Sequence, residues 1–168
     1  MHGKYKFKME KLLIITPVKD SIQTTLDTIH AIMESRITTP HSYTIYNDNS
    51  TAENTAILEK EAEKYGFRLV NICDLTDHPS PNYLLVLQMA QREALEQNAG
   101  LCIVESDVTV KPDTLQRLFD GAKTRKGCGI AAAVTVDGNG DINYPYLYAK
   151  GRENQEYETK KHCSFCCS

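Results

Sequence analysis

The sequence has no long apolar run. Nothing in its 168 residues approaches the roughly 18–20 consecutive apolar positions a helix needs to cross a bilayer. A helical span within these residues is therefore excluded. The start, "MHGKYKFKMEK", is basic but has no apolar segment behind it. Residues 1–10 thus read as a basic tail and not as a secretory leader. Positive charge is not in excess either: 19 Lys and Arg stand against 22 Asp and Glu, a net charge of −3. Nucleic-acid binders usually carry a basic face, so that class of partner is not expected. A disulfide framework is also lacking. Cys73, Cys102 and Cys128 stand singly in apolar surroundings and read as small core residues, while Cys163, Cys166 and Cys167 crowd the end. With no leader, a reducing cytoplasm is the expected compartment, free or at the inner face of a membrane.

Cys163 and Cys166 have the C-x₂-C spacing of a zinc pair, but no second pair accompanies them. A structural zinc site takes four ligands, so zinc is not expected; "KHCSFCCS" reads as an alternating strand. His2, His30, His41, His78 and His162 form no ligand pattern.

What is present is an ordinary globular composition, 41% hydrophobic and 24% charged, in a chain long enough for one domain with a core. "KLLIITP" (11–17) is an unbroken apolar run closed by Pro17, which predicts a strand buried on both faces. Ile22, Leu26, Ile29 and Met33 then recur at helical spacing. "SYTIYN" (42–47) predicts a second strand. A second helix follows, with Ser50 and Glu53 as a capping box, Leu58, Ala62 and Tyr65 inward, and Gly66 at its end. "FRLVNIC" predicts a third strand and "DLTDHPSPN" a loop. A long helix from Tyr83, with Leu84, Leu87, Ala90 and Ala94 inward, is expected to end at Gly100. "LCIVESDVTV" (101–110) predicts a fourth strand, and Pro112 and Gly121 bracket a fourth helix. After residue 122 the pattern turns to strands without helices between them. "DGNGDI" (137–142) mimics the start of a calcium loop, but Ile142 stands where glycine is required, so a hairpin turn is expected.

Alternating strands and helices predict an α/β fold with a mostly parallel sheet flanked by helices. Ligands of such sheets bind beyond the carboxyl ends of the strands. Thr16–Asp20, Asn47–Ser50 and Glu105–Asp107 all follow strand ends, so the three are expected to converge. Along an extended segment Glu105 and Asp107 would aim at one point. Two carboxylates so placed repel unless a cation lies between them, and Mg²⁺ or Mn²⁺ would also leave positions open for phosphate oxygens. The plainer alternative is a solvated strand end.

Three of these stretches resemble motifs of the family 2 glycosyltransferases. "LCIVESDVTVKPDTLQRL" is similar to their acid-motif region, "LLIITPVKDS" to their first strand and nucleotide loop, and "YTIYNDNST" to the end of their second strand. The resemblance runs over about residues 11–120, with the motifs in the family's order. It implies a GT-A (Rossmann-like) nucleotide-diphospho-sugar transferase fold and transfer of a sugar, UDP-linked by the Asp48 match, to a glycan, lipid-linked or protein acceptor, with inversion. It implies Asp107 and Glu105 as ligands of Mg²⁺ or Mn²⁺, Asp48 as the acceptor for the uracil ring, and Thr16, Pro17, Val18 and Ser106 as further nucleotide contacts.

The chain also departs from the pattern. Glu105 stands for the usual Asp, Asn47 for one acid of the second motif, and Lys19–Asp20 for Tyr-Asn. Residues 11–122 are expected to be the donor-binding region. Residues 123–168 are expected to be the β-rich start of an acceptor region, truncated in mid-strand. No residue up to Ser168 is assigned as general base; Glu153, Glu156 and Glu158 read as polar loop and strand positions. An edge of the sheet could pair with a second copy. Two other readings stand beside this one. A sugar nucleotidyltransferase would need a glycine-rich phosphate loop that "TPVKDS" lacks. A non-catalytic binding module of the same fold would tolerate the substitutions at Glu105 and Asn47.

Overall fold

The structure, a computed structural model, describes residues 9–144, 146–152 and 155–158. Four parallel strands, β1 (Lys11–Val18), β2 (His41–Asn47), β3 (Arg68–Asn71) and β4 (Ala99–Ile103), form one sheet in the order β3-β2-β1-β4. Helices α1 (Ile22–Met33), α2 (Ala52–Tyr65) and α3 (Tyr83–Glu96) connect them, and α4 (Thr114–Thr124) follows β4. This is the α/β, all-parallel, helix-flanked architecture expected from the alternation.

The apolar run of β1 divides by the period-2 geometry of a strand. Leu12, Ile14 and Val18 join Ile29, Ile32, Leu58, Leu115 and Phe119 from α1, α2 and α4 in one core. Leu13 and Ile15 turn to the other face, toward Val86, Ala90 and Ala94 of α3. A strand covered on both faces is apolar nearly throughout, and in this one only Lys11 at its start and Thr16 near its end are polar. Each fully buried aliphatic side chain contributes roughly 1.5–3 kcal/mol. Pro17 lies inside β1 and does not end it. Pairing with β4 stops at Ile15, so Pro17 sits where β1 has a neighbour on one side only.

Several local expectations are corrected. In α1 the buried residues are Thr25, Thr28, Ile29 and Ile32, whereas Met33 is exposed. The two threonines are accommodated because their hydroxyls donate to the carbonyls of Ser21 and Thr24. Thr51, and not Ser50, caps α2, accepting from the Asn54 N–H at 3.3 Å. Gly66 ends that helix in the left-handed region (φ 76°), as expected. Leu84 is 68% exposed, and Val86, Ala90 and Ala94 form the inner face of α3. Gly100 belongs to β4. A Cβ there would come within 3.3 Å of Met9 Sδ, and Asn98 (φ 50°) makes the preceding turn.

β4 itself stops at Ile103, and residues 105–108 form a turn in which the Val108 N–H donates to the Glu105 carbonyl. Cys73 is exposed, while Cys102 packs against the core and burial pushes its thiol up to about 12. The strands expected after residue 122 do not appear among the described residues, apart from one antiparallel bridge, Val136 to Ile142. That bridge closes the "DGNGDI" turn, where Asp137 Oδ1 accepts from the N–H groups of Asn139 and Asp141. Expectations for residues 1–8, Glu153, His162, Cys163, Cys166 and Cys167 lie outside the described residues. No helix among the described residues is long and apolar enough to cross a membrane.

Candidate functional site at the carboxyl ends of the strands

The chain steps from β1 to β2 to β3 in one direction and then places β4 on the other side of β1. The direction of winding reverses between β1 and β4, the position where open parallel sheets form their ligand crevice. Backbone bonds tie the strand tips together there. The Asp48 N–H donates to Val18 O at 2.8 Å, and the Val104 N–H to Ile15 O at 2.9 Å. Among the described residues, three of the four non-glycine positions with positive φ, Asp20 (52°), Ser21 (47°) and Asn49 (58°), lie on this rim. Each such residue costs about 1 kcal/mol or more and persists only where its surroundings hold it. Here they do. The Asp20 N–H donates to Ser50 Oγ, Asp20 Oδ1 accepts from Thr51 N–H and Asn54 Nδ2, and Lys19 Nζ reaches the Asn49 carbonyl. Those bonds hold the Asp20 carboxyl below the usual carboxylate range, the Thr51 N–H contributing most.

Asp48 is 7% exposed, and each of its carboxylate oxygens is engaged. Oδ2 accepts from the Asn82 N–H and Oδ1 from Asn82 Nδ2, both at 2.7 Å. Ser80 Oγ donates to the Asp48 carbonyl at 2.8 Å. Burial opposes ionisation of this carboxyl, but the Asn82 donors, with Ser80 and Lys19, outweigh it and hold the group below its ordinary range. Asp48, expected to accept from a base edge, has both carboxylate oxygens on Asn82 and anchors the loop that precedes α3. Asn82 is the N-cap position of α3, yet its side chain does not cap that helix. Its amide donates to Asp48 Oδ1 and, at 3.2 Å, to the His78 carbonyl.

Thr16 is fully buried, and its hydroxyl accepts from Tyr43 Oη at 3.0 Å. Val18 is also buried in the core. These two side chains shape the floor below the rim. Pro17 is half-buried. Asn47 is buried, its amide donating to Thr55 Oγ1 and Asn71 Oδ1 at 2.9 Å each. A carboxylate at that position would have no proton to give to either oxygen, so the two bonds as they stand need an amide.

Beyond β4, Glu105 and Asp107 are exposed and Ser106 is half-buried. The turn at 105–108 replaces the extended geometry expected for the acid pair. Glu105 Oε1 accepts from Tyr83 Oη at 2.7 Å. No group of three or more His, Cys, Asp or Glu able to hold a metal occurs among the described residues. Two exposed hard-oxygen carboxylates fit an ion such as Mg²⁺ or Mn²⁺ that is shared with a diphosphate. They do not fit an ion caged by protein alone. Arg92 is exposed on α3, about 13 Å of helix rise from Tyr83 and the rim.

No family model matches the chain, and no curated protein matches it. Solved structures are similar to it in part. The 1–349 portion of S. aureus TarS in complex with UDP-GlcNAc is 20% identical with a TM-score of 0.45, covering 64% of this chain and 29% of that one. The mannosyltransferase PcManGT from Pyrobaculum calidifontis, in complex with GDP-Man and Mn²⁺, is 16% identical with a TM-score of 0.49, covering 66% and 31%. The chain thus spans less than a third of either protein's length. Likenesses of this extent leave function to be read from this chain's own residues.

Sequence reasoning missed Asn82, Tyr83 and the cross-linking role of Asp20. Asn82 carried a faint signal, an Asx residue directly before a helix. A cavity of about 430 Å³ lies at the other end of the sheet, lined in part by Lys11, His41, Tyr43, Tyr65 and Arg68. It sits at the amino ends of the strands, away from the crevice position of this sheet class.

Proposed function

We propose that residues 11–122 form the donor-binding region of a GT-A-type glycosyltransferase that takes a nucleotide-diphosphate sugar, UDP-linked, and a divalent cation, and that residues from 123 begin the acceptor side. One observation carries this reading. The tips of three neighbouring parallel strands bring the β1 loop, the Asp48-held loop and the Glu105–Asp107 turn to one rim, in the order the family motifs require.

In this reading Asp48 sets the wall of the nucleotide pocket through Asn82, and the Pro17–Lys19 backbone flanks the base and ribose. Asp107 and Glu105 hold the cation together with the diphosphate, and Ser106 lies between them. When bound, the cation would offset the negative charge that builds on the departing diphosphate. The chain's contribution is to hold donor and ion in one geometry, a proximity effect. The transfer reaction, its acceptor and a cytoplasmic setting belong to the same proposal.

Calorimetric titration of UDP and GDP, with and without Mn²⁺, tests it. UDP is expected to bind more tightly with Mn²⁺, and Asp107→Ala is expected to remove that enhancement while leaving the melting temperature unchanged. Equal UDP affinity with and without Mn²⁺ would sink the metal-assisted reading.

A further inference from the structure

Glu105 carries one methylene more than the aspartate that the resembled motif uses, and it is exposed. Such a side chain turns about three bonds, and a mobile carboxylate is a poor partner for an ion that demands fixed oxygen positions. The structure supplies a restraint. Tyr83 Oη donates to Glu105 Oε1 at 2.7 Å, the length of a strong bond to a carboxylate, which leaves Oε2 to turn elsewhere.

Tyr83 is the first residue of α3, and the residue before it is Asn82, whose N–H and amide are both fixed on Asp48. A covalent and hydrogen-bonded path therefore runs from the tip of β2 through Asn82 and Tyr83 to the turn after β4. It passes over β1, which lies between those strands. The rigid end of this path is the buried Asp48; its free end is the acid expected to meet the cation.

We infer that Tyr83 is a positioning residue for the divalent-cation site, holding Glu105 by one carboxylate oxygen so that the other faces the ion. This rests on the proposed function, since it needs an ion at Glu105 and Asp107. It adds a residue of α3 that acts on the ion through Glu105.

The test is the Mn²⁺ concentration that gives half-maximal UDP binding to the full chain. It is measured for wild type, Tyr83→Phe, Glu105→Gln, the double variant and Asp107→Ala, each with a thermal melt. Tyr83→Phe is expected to raise that concentration about 10-fold, the usual size for loss of a group that orients a metal ligand. The double variant is expected to bind no worse than Glu105→Gln alone, because the phenol reaches the ion through that carboxylate. Glu105→Asp is the second probe: its shortened side chain falls short of the phenol, so adding Tyr83→Phe to it should change nothing. A Tyr83→Phe variant with wild-type Mn²⁺ dependence overturns the inference. So does a loss from Tyr83→Phe that persists in full beside Glu105→Gln or Glu105→Asp, since that marks a merely structural role. Wild-type Mn²⁺ dependence in Asp107→Ala overturns the underlying site, a result distinct from the other two.

Discussion

Asp48 and Asn82 are joined by two hydrogen bonds of 2.7 Å, one to each carboxylate oxygen, although 34 residues separate them. The pair is buried, so neither partner can exchange the other for water at no cost. It fixes where α3 begins, and therefore where Tyr83 stands relative to Glu105.

Removing either partner leaves the other unsatisfied in a closed site. Asn82→Ala and Asp48→Ala are each expected to destabilise the fold by about 2–3 kcal/mol, because a buried group that loses a charge-assisted bond bears its full desolvation penalty. Urea unfolding at neutral pH measures this. Double substitution to alanine should cost less than the sum, since the orphaned partner is then gone.

The same pair sets an acid limb to stability. The Asp48 carboxyl is held below its ordinary value of 3.8 in the folded state. A depressed folded-state value means that ionised Asp48 stabilises the protein fully above about pH 4. That contribution is lost as pH falls through the folded-state value. Unfolding free energy measured from pH 5 down to pH 2 should fall more steeply for wild type than for Asp48→Asn. Parallel curves would show that this carboxyl contributes nothing to the acid response.

Thr16→Val tests the floor of the rim. The Tyr43 hydroxyl would lose its partner in a site that excludes water, and burial already pushes that phenol's ionisation up. A cost of about 1–3 kcal/mol is expected, with little change in UDP affinity for the folded protein. A large loss of UDP affinity at unchanged stability would mark Thr16 as a direct ligand contact.

Gly66→Ala should cost about 1 kcal/mol in unfolding free energy. The position lies at φ 76° with no atom within 4 Å of an added Cβ, so backbone strain alone acts. No effect on nucleotide binding is expected, because Gly66 lies at the amino end of β3.

Local chemistry made most of the fold legible. The apolar run 11–17 announced a two-faced strand, and Gly66 announced the end of α2. Errors arose where a residue's partner is distant in sequence. Ser50 looks like a cap because Glu53 follows three residues later, yet its hydroxyl serves Asp20 on another strand tip. Thr25 and Thr28 are a different case: they look like surface residues until their hydroxyls are seen to be satisfied four residues back in the chain. Residues 129–136 have the composition of a strand, but composition does not supply a neighbouring strand to pair with. At the rim, the strand-end positions of Asp48 and Glu105 could be inferred. Their partners, Asn82 and Tyr83, could not, because both bonds depend on how α3 lies over the sheet.

Three of the links across the rim, Asp20 to Thr51, Asp48 to Asn82 and Tyr83 to Glu105, each bridge more than twenty residues. They close in that order along the chain. A polypeptide emerging from the ribosome can therefore brace the tip of β2 against α3 once Asn82 is out, but the turn after β4 must wait for Glu105. The rim is consequently completed only after all four strands have been made.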